Sequence, residues 1–292
     1  MKNKKVLLSC LVAAALVSGC KNMGGINGDA LAKSGMSAYQ AATLSDADVK
    51  KLSDQACAEM DKQNPVVPAS SKYTKRLNKI AKALGNNING TPVNYKVYQT
   101  PEVNAWAMAN GCIRVYSGLM DMMTDNEVEA VLGHEMGHVA LGHTRKAMQT
   151  AYATVAARDA VSASSAVGAQ LSDSELGEMA QGMINSAFSR SQESEADDFS
   201  YDLLKKRKIS TKGLVTSFEK LAKLDAGSEK SMFDSHPPSA ERAQHIRDRI
   251  AADKKYSCLP GSASGRSGHL RPILLHSATM AAIFRRKDNS LR

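Results

Sequence analysis

The sequence predicts an α+β fold in which most of the chain is helical and a small sheet lies beside one central helix. Between residues 44 and 256, apolar residues mostly recur three or four positions apart, which is typical of helices with one buried face. One region instead alternates apolar and polar residues, at 93–97 and again at 113–117, where the second run follows the Asn110-Gly111 turn signal. We therefore expect a mainly helical domain with a few short strands.

The first 19 residues have the composition of a secretory signal peptide. Lysines precede an apolar core at 6–17 that is too short to cross a bilayer comfortably. The ending Leu16-Val17-Ser18-Gly19-Cys20 resembles a bacterial lipobox, which implies cleavage before Cys20 and lipidation of its sulfur. Lys21 stands where an inner-membrane retention signal has aspartate, so we expect an anchor in the outer membrane, on its periplasmic face. Ordinary signal cleavage with an incidental cysteine is the alternative.

The charge of the remaining chain does not indicate a nucleic-acid partner. The formal net charge of all 292 residues is +9. The signal lysines contribute +3, and residues 257–292 contribute +5 because they hold six arginines and lysines against one aspartate. Residues 20–256 therefore carry only +1, and no basic stripe remains for DNA or RNA to bind.

Two segments flank the predicted domain. Residues 20–43 are rich in Gly, Asn, Ser and Ala, which is typical of a flexible tether between a lipid and a domain. Residues 257–292 are dominated by Gly, Ser and Arg, and we expect them to be disordered. The folded domain is predicted at 44–256, which is long enough for one hydrophobic core.

The domain is predicted to begin with two helices. Ser45 and Asp48 mark the start of the first helix, and the second ends before Gly85. The first helix carries Cys57, which forms with Cys112 the only cysteine pair of residues 44–256. In an oxidising compartment this pair can form a disulfide between an early helix and the central strands, and two buried free thiols are the alternative.

Residues 104–109, Asn-Ala-Trp-Ala-Met-Ala, are interpreted as a further strand that brings small side chains toward a cleft. A peptide substrate could add to it as an extra strand, and a plain sheet strand is the alternative. Trp106 is expected to pack in the core or at its rim.

His134–His138 is an HExxH pattern within a helix, and it predicts a zinc site. Thr124 and Glu127 form a capping box that marks the start of this helix. Residues four apart share a helix face, so His134 and His138 can point two imidazoles at one zinc ion. Zinc lowers the pKa of a bound water toward about 7, and Glu135 can take its proton. A chance HExxH on a surface helix is the alternative.

Residues 145–170, after this helix, are rich in Ala, Ser and Val. They favour a continuing helix over a mobile flap above the cleft, because alanine has the highest helix propensity. Their charged residues, such as Arg145 and Asp159, argue against membrane insertion.

A catalytic zinc needs a third protein ligand, and His143 is the nearest candidate. It lies five residues after His138, whereas the extended motif with three histidines needs a spacing of six. In a continuing helix, His143 would also point away from the face shared by His134 and His138. We therefore do not favour it.

The acidic run at 189–198 offers a better third ligand. It lies within a long helical pattern in which Glu193 and Asp197 are four apart on one face, while Glu195 points elsewhere. Glu193 would complete a His₂Glu set, and Asp197 is placed to fix the tautomer of a zinc-binding imidazole. A solvated helix face is the alternative for any of these acids.

Taken together, these motifs resemble the zinc endopeptidases that include HtpX and the CAAX prenyl proteases, and in particular their soluble lipoprotein branch. The resemblance runs from the lipobox to about residue 255. Four blocks carry it: Asn104-Ala105 with the Gly-x-Ile-x-Val strand, His134–His138, Ser189-Arg190…Glu193-x-x-Ala196-Asp197, and His236-Pro237-Pro238…Arg242. The family pattern Glu-x-x-Ala-Asp selects Glu193 rather than Glu195.

The resemblance implies a zincin-type metallopeptidase domain and further site residues. His236 would donate a hydrogen bond to the oxyanion or the substrate, although a His before Pro-Pro can also be a plain loop residue. Arg242 would support the site from the last helix, and Asn104 would lie near the substrate. The implied cofactor is zinc, and the implied substrates are unfolded or damaged envelope proteins. Other envelope proteases or assembly factors are possible partners.

Two other functions stay open from the sequence. The protein could be a periplasmic chaperone or assembly factor with a structural zinc, although the intact HExxH base argues against this. It could also be a zinc amidase that acts on peptidoglycan stem peptides.

Overall fold

The computed structural model describes residues 39, 41–159, 171–224, 235–236 and 240–257. Backbone packing divides the chain into units 1–251 and 252–292, and of the second unit only the end of one helix is described. Cys20, nearly all of the tether and the tail from residue 258 lie outside the described residues, as do 160–170 of the segment expected to be helix or flap.

Helices make up most of the described chain. They are α1 (Asp46–Gln63), α2 (Lys72–Leu84), α3 (Ser117–Met122), α4 (Asp125–Ala140), α5 (His143–Asp159), α6 (Asp173–Ile184), α7 (Arg190–Lys206), α8 (Lys212–Leu224) and α9 (Ala240–Ser257). Among these helices, none is both long enough and apolar enough to cross a bilayer. The predicted α+β class, mainly helical, is confirmed.

Capping boxes begin four of the helices: α1 at Ser45, α4 at Thr124, α6 at Ser172 and α7 at Ser189. At α4, the Thr124 N–H donates to the Glu127 carboxylate at 2.8 Å, and Thr124 Oγ1 accepts from the Glu127 N–H at 3.4 Å. These bonds satisfy N–H groups that a helix start leaves without intrahelical partners. The helix starts predicted at Ser45 and Thr124 are confirmed.

Among the described residues, five short strands form two sheets: β1 (Asn87–Ile88) with β2 (Thr91–Pro92), and β3 (Asn94–Tyr98), β4 (Ala105–Ala107) and β5 (Cys112–Tyr116). In the larger sheet β5 is central, parallel to β3 and antiparallel to β4. The alternating run expected to extend to Ser117 stops at Tyr116. Ser117 begins α3, and its hydroxyl donates to the Thr100 carbonyl at 2.7 Å, outside the strand ladder.

The two faces of the larger sheet are buried in different clusters. Ala105, Ala107 and Val115 pack with apolar residues of α2, α4, α7 and α8. Trp106 and Tyr116 point to the other face and pack with α1, α5 and α6. This division follows from the two-residue period of a strand. Trp106 is a buried core residue, and its indole N–H donates to the Tyr116 hydroxyl at 3.3 Å.

Helix α1 is attached to the sheet by a disulfide and by an ion pair. The disulfide joins Cys57 in α1 to Cys112 in β5. The Arg114 side chain, only 1% exposed, donates from Nε and Nη2 to the Asp61 carboxylate at 2.8 and 2.9 Å. Burial alone would raise the pKa of Asp61, but hydrogen bonds from Arg114 and Lys96 lower it to about 2. The acid therefore stays charged and paired at neutral pH.

Helices α4 and α7 approach closely because α4 has glycines on the contact face. A Cβ atom at Gly137 would lie 2.9 Å from the Ala196 carbonyl oxygen, and one at Gly133 would lie 2.6 Å from Ser200 Oγ. Ser200 Oγ in turn donates to the Ala130 carbonyl across the interface at 2.9 Å. The two helices that carry the predicted zinc ligands are thus packed with their backbones nearly in contact.

Replacing Gly137 with alanine is expected to destabilise the protein by about 1–3 kcal/mol, because the new methyl group meets backbone atoms of α7 that cannot rotate away. Gly182→Ala in α6 is the matched control, since its Cβ would meet only the Ala151 Cβ at 3.8 Å. The control should gain about 0.5–1 kcal/mol from helix propensity. Thermal unfolding followed by circular dichroism measures both. Equal gains in stability for the two variants would contradict the close approach of α4 and α7.

Candidate active site

Helix α4 places two imidazoles side by side in the interior of the protein. His134 and His138 lie one turn apart and are both buried. Their Nε2 atoms are 3.0 Å apart, so one ion could contact both. The spacing of the HExxH pattern produces this pairing directly, because residues four apart lie above each other on a helix.

Helix α7 brings a carboxylate to the same point. Glu193 is buried, with Oε1 3.3 Å from His138 Nε2 and Oε2 3.6 Å from His134 Nε2. It lies in the first turn of α7, directly opposite the histidines, because Gly137 allows the two helices to approach. The structure therefore brings the three predicted ligands together.

His236 completes the cluster from a separate segment. Its Nδ1 is 3.2 Å from His134 Nε2 and 3.1 Å from Glu193 Oε1. Its Nε2 lies 3.5 Å from Glu135 Oε1. The resemblance implied that His236 hydrogen-bonds the oxyanion or the substrate, and that role stays a prediction. In this structure, His236 Nδ1 is a fourth donor atom within the ligand set.

The donor set fits zinc. One atom from each of His134, His138, Glu193 and His236 lies within 4.8 Å of the others, and all four residues are buried. Zinc takes nitrogen and carboxylate ligands at about 2.0–2.2 Å in a tetrahedron, which implies ligand separations of about 3.3–3.6 Å. The separations of 3.0–3.6 Å observed within the cluster are close to these values. The four side chains therefore fit the predicted zinc cofactor.

The second imidazole nitrogen of His134 is held by a charged network. His134 Nδ1 donates to Asp197 Oδ1 at 2.8 Å, which leaves its Nε2 lone pair for a metal. Arg242 holds the same carboxylate with two bonds, Nε to Oδ2 and Nη2 to Oδ1, both at 2.7 Å. Its Nη1 also contacts Glu193 Oε2. Arg242 therefore bridges the metal-binding acid and the acid that orients a ligand.

Glu135 faces the cluster, and one of its carboxylate oxygens makes no hydrogen bond to the described residues. Its side chain is buried, and Oε1 has no hydrogen-bond partner among the described residues. Burial raises the pKa of its carboxyl above the ordinary value. A buried carboxylate oxygen of this kind needs a partner in the working site, and a water beside a zinc ion would supply one.

Burial and neighbouring charges keep the other buried groups in the forms that a metal site needs. Burial alone would raise the pKa of Glu193, but the imidazoles of His134, His138 and His236 lower it. Burial lowers the pKa of His138 well below its ordinary value, which favours the neutral, metal-binding imidazole. Asp197 also has a lowered pKa: its burial is outweighed by the bonds from Arg242 and His134.

The sequence did not indicate Phe188, whose ring stacks on a metal ligand. Its centroid is 3.9 Å from that of His138, with 25° between the planes. The helical pattern around the acidic run is broken at 185–189, between α6 and α7, and Phe188 lies in this break. Its N–H donates to the Ser235 carbonyl at 3.1 Å, next to His236. The capping-box residues Ser189 and Gln192 were the signal of the break.

We expected His143 to point away from His134 and His138, as it would in a continuing helix, but it lies against His138. Helix α4 ends at Ala140, and Gly142, with φ of +75°, turns the chain into α5 so that His143 returns to the site. Its Nδ1 lies 3.0 Å from the Nδ1 of His138, on the side of that ring away from the ligand nitrogen. It is not among the atoms that cluster as ligands in the described chain.

Asn104, which the resemblance placed near the substrate, immediately precedes the edge strand β4. Its side-chain amide donates to Glu102 at 3.0 Å, and its Oδ1 is buried without a hydrogen-bond partner among the described residues. The proposed contact with substrate stays a prediction.

Comparison with known proteins indicates a metallopeptidase. A model of peptidase family M48 matches residues 71–250. The metalloprotease YcaL of Escherichia coli (strain K12) is 68% identical over 254 residues, which are 87% of this chain and 100% of YcaL. The metalloprotease LoiP of the same strain is 61% identical over 249 residues, 85% of this chain and 98% of LoiP.

A more distant relative is the beta-barrel assembly-enhancing protease of the same strain. It is 24% identical over 287 residues, which are 94% of this chain and 55% of that protein. The resemblance to zinc endopeptidases that the four sequence blocks indicated is confirmed by these matches.

Removing the metal is expected to lower the melting temperature. Zinc that binds only the folded state, at a free concentration about 100 times its Kd, stabilises it by about 2.7 kcal/mol. For a domain of this size, that corresponds to roughly 5–10 °C. Calorimetry of the protein after treatment with a chelator, and again after adding zinc, measures the shift. The double variant His134→Ala/His138→Ala should show no response to either, and a zinc response as large as that of the unaltered protein would contradict this site.

Proposed function

Because this chain belongs to peptidase family M48 and is a zinc-dependent metalloendopeptidase, we propose that it cleaves unfolded or damaged envelope proteins while its own lipid anchor holds it on the periplasmic face of the outer membrane. The observation that carries the peptidase chemistry is the convergence of His134, His138 and Glu193, with Glu135 beside them. Zinc bound there would polarise the peptide carbonyl and lower the pKa of an attacking water.

Glu135 is the group that moves protons in this mechanism. Its Oε1, which has no hydrogen-bond partner among the described residues, can accept the proton of the attacking water, and the same carboxyl can then donate it to the leaving amine. Because burial raises its pKa, the carboxyl can hold the proton between these two steps. Asp197 and Arg242 keep His134 in the tautomer whose Nε2 would bind the metal.

The sheet edge supports an extended peptide as the substrate. In the β4–β5 ladder, the Tyr116 N–H donates to the Asn104 carbonyl and the Met108 N–H to the Cys112 carbonyl. These bonds alternate along the strand, so the backbone groups of Ala105 and Ala107 point away from β5, toward the edge. Within the described part of the chain, no strand pairs with this edge. Ala105 and Ala107 are only 1% and 3% exposed, so an unfolded chain would add there as a strand once this edge opens.

The proposed location rests on the lipobox and the disulfide, and the proposed substrates rest on one relative. Cys20 supplies the thiol for lipidation, with palmitate among the acyl groups to be expected, and the Cys57–Cys112 disulfide suits an oxidising compartment. One relative is described as enhancing β-barrel assembly, which supports proteins of the outer membrane as substrates. Assembly factors of that membrane, or other envelope proteases, would then be partners.

Glu135→Gln is expected to retain zinc. Its kcat for an unfolded protein such as casein should fall by about 10²–10⁴-fold, because the amide cannot accept the proton. Zinc content by atomic absorption and hydrolysis by release of labelled peptides test the two halves separately. Glu129→Gln, the same change on the same helix but outside the ligand cluster, is the control and should cleave nearly as fast as the unaltered protein. Full activity of Glu135→Gln would remove this residue from the mechanism.

Cys20→Ser is expected to abolish incorporation of labelled palmitate and to move the protein from the outer-membrane fraction to the periplasmic fraction. Cys258→Ser is the control, since it removes a cysteine from the tail and leaves the lipobox intact. Fractionation with immunoblotting measures both variants. Outer-membrane attachment of Cys20→Ser would contradict the anchor while leaving the peptidase assignment unaffected.

A further inference from the structure

We propose that His143, backed by Glu195, is a positioning residue for the zinc ligand His138. It would set the tautomer and the ring orientation of that ligand without touching the metal. The inference rests on the zinc site of the proposed function, and it concerns metal binding rather than substrate or location.

The turn after α4 places His143 against the outer side of the His138 ring. Gly142 has a positive φ, which a glycine adopts without steric cost, and the turn lets α5 begin with His143 directly beside the site. His143 is buried, and its Nδ1 lies 3.0 Å from His138 Nδ1. The other nitrogen of His138, Nε2, faces His134 Nε2 and Glu193.

Only one arrangement of protons satisfies this chain of contacts when Nε2 of His138 binds a metal. Its Nδ1 then carries the proton and donates it to His143 Nδ1, which must be the unprotonated nitrogen of its ring. His143 Nε2 then carries a proton and donates to Glu195 Oε2 at 3.2 Å. Ser191 Oγ donates to the other carboxylate oxygen at 3.0 Å. Each donor meets one acceptor, so Glu195 sets the tautomer of His143 and His143 sets that of His138.

The two zinc-binding histidines thus have different supports. His134 donates directly to Asp197, a carboxylate that is 1% exposed and held by Arg242. His138 donates to a neutral ring, and the acid behind that ring, Glu195, is 54% exposed. The weaker support is complemented by Phe188, which stacks on the face of His138 while His143 holds its edge. Together these contacts leave the imidazole a single orientation.

The test compares His143→Ala with Thr144→Val. Thr144 is the next residue in the same turn, equally buried, and its hydroxyl has no hydrogen-bond partner among the described residues, so valine replaces it at similar size. Zinc affinity is measured by competition with a chromophoric chelator. His143→Ala should bind zinc about 10–100-fold more weakly, as expected when the hydrogen-bond partner of a ligand is lost. Thr144→Val should bind it as the unaltered protein does.

A spectroscopic readout separates positioning from a structural effect. In the cobalt-substituted protein, His143→Ala should shift the visible ligand-field bands, whereas Thr144→Val should leave them unchanged. His143→Asn keeps an acceptor oxygen near the position of Nδ1 and should recover most of the zinc affinity. With zinc saturated, His143→Ala should lower kcat and leave KM nearly unchanged, because the residue does not contact substrate.

Several results would overturn the proposal. They are unaltered zinc affinity in His143→Ala, an equal loss in Thr144→Val, or a loss in His143→Asn as large as in His143→Ala. If His143→Ala does not fold, Glu195→Ala decides, since this half-exposed side chain can be removed without a cavity. It should weaken zinc binding several-fold, and unchanged binding would refute the role. Full activity of Glu135→Gln would overturn the peptidase mechanism without changing the zinc affinities of the His143 variants, so the two failures are distinguishable.

Discussion

The close packing of α4 against α7 is the constraint on which the site depends. Gly137 lies where any Cβ atom would meet the backbone of Ala196, and Gly133 lies against Ser200. With larger residues there, the helix axes would separate and Glu193 would move away from the two histidines. Metal ligands have to meet within a few tenths of an ångström, and interiors as dense as those of proteins transmit such displacements. The small side chains on the contact face are therefore part of the metal site.

The second constraint is electrostatic. The site buries three carboxylates, on Glu135, Glu193 and Asp197, and isolated buried charges are very costly. Arg242 offsets part of this cost by holding Asp197 with two bonds and by contacting Glu193. The imidazoles and a divalent cation would balance the rest. This explains why a helix as distant in sequence as α9 has to pack on the ligand helices.

Some parts of the site could be predicted because they depend on a single helix. The capping box at Thr124 and the spacing of His134, Glu135 and His138 are local, and the structure has them where the sequence indicated. His143 is not among the clustered ligands of the described chain, as expected, but the direction expected for its side chain was wrong because it assumed that α4 continues. The helix instead stops, and Gly142 returns the chain to the site. Phe188 was not recognised for the same reason, since the break before Ser189 was not identified.

The sequence by itself determined the class of fold, the starts of the main helices, the pair of imidazoles and the kind of chemistry that a His₂Glu site performs. These follow from periodicities and spacings within single segments, which local backbone geometry translates directly into structure. Only the tertiary structure decided that Glu193 faces His138, that Arg242 reaches Asp197 and that His143 lies behind a zinc ligand. These contacts join segments far apart in the chain or separated by a turn. Their geometry depends on how closely whole helices pack, which no single segment specifies.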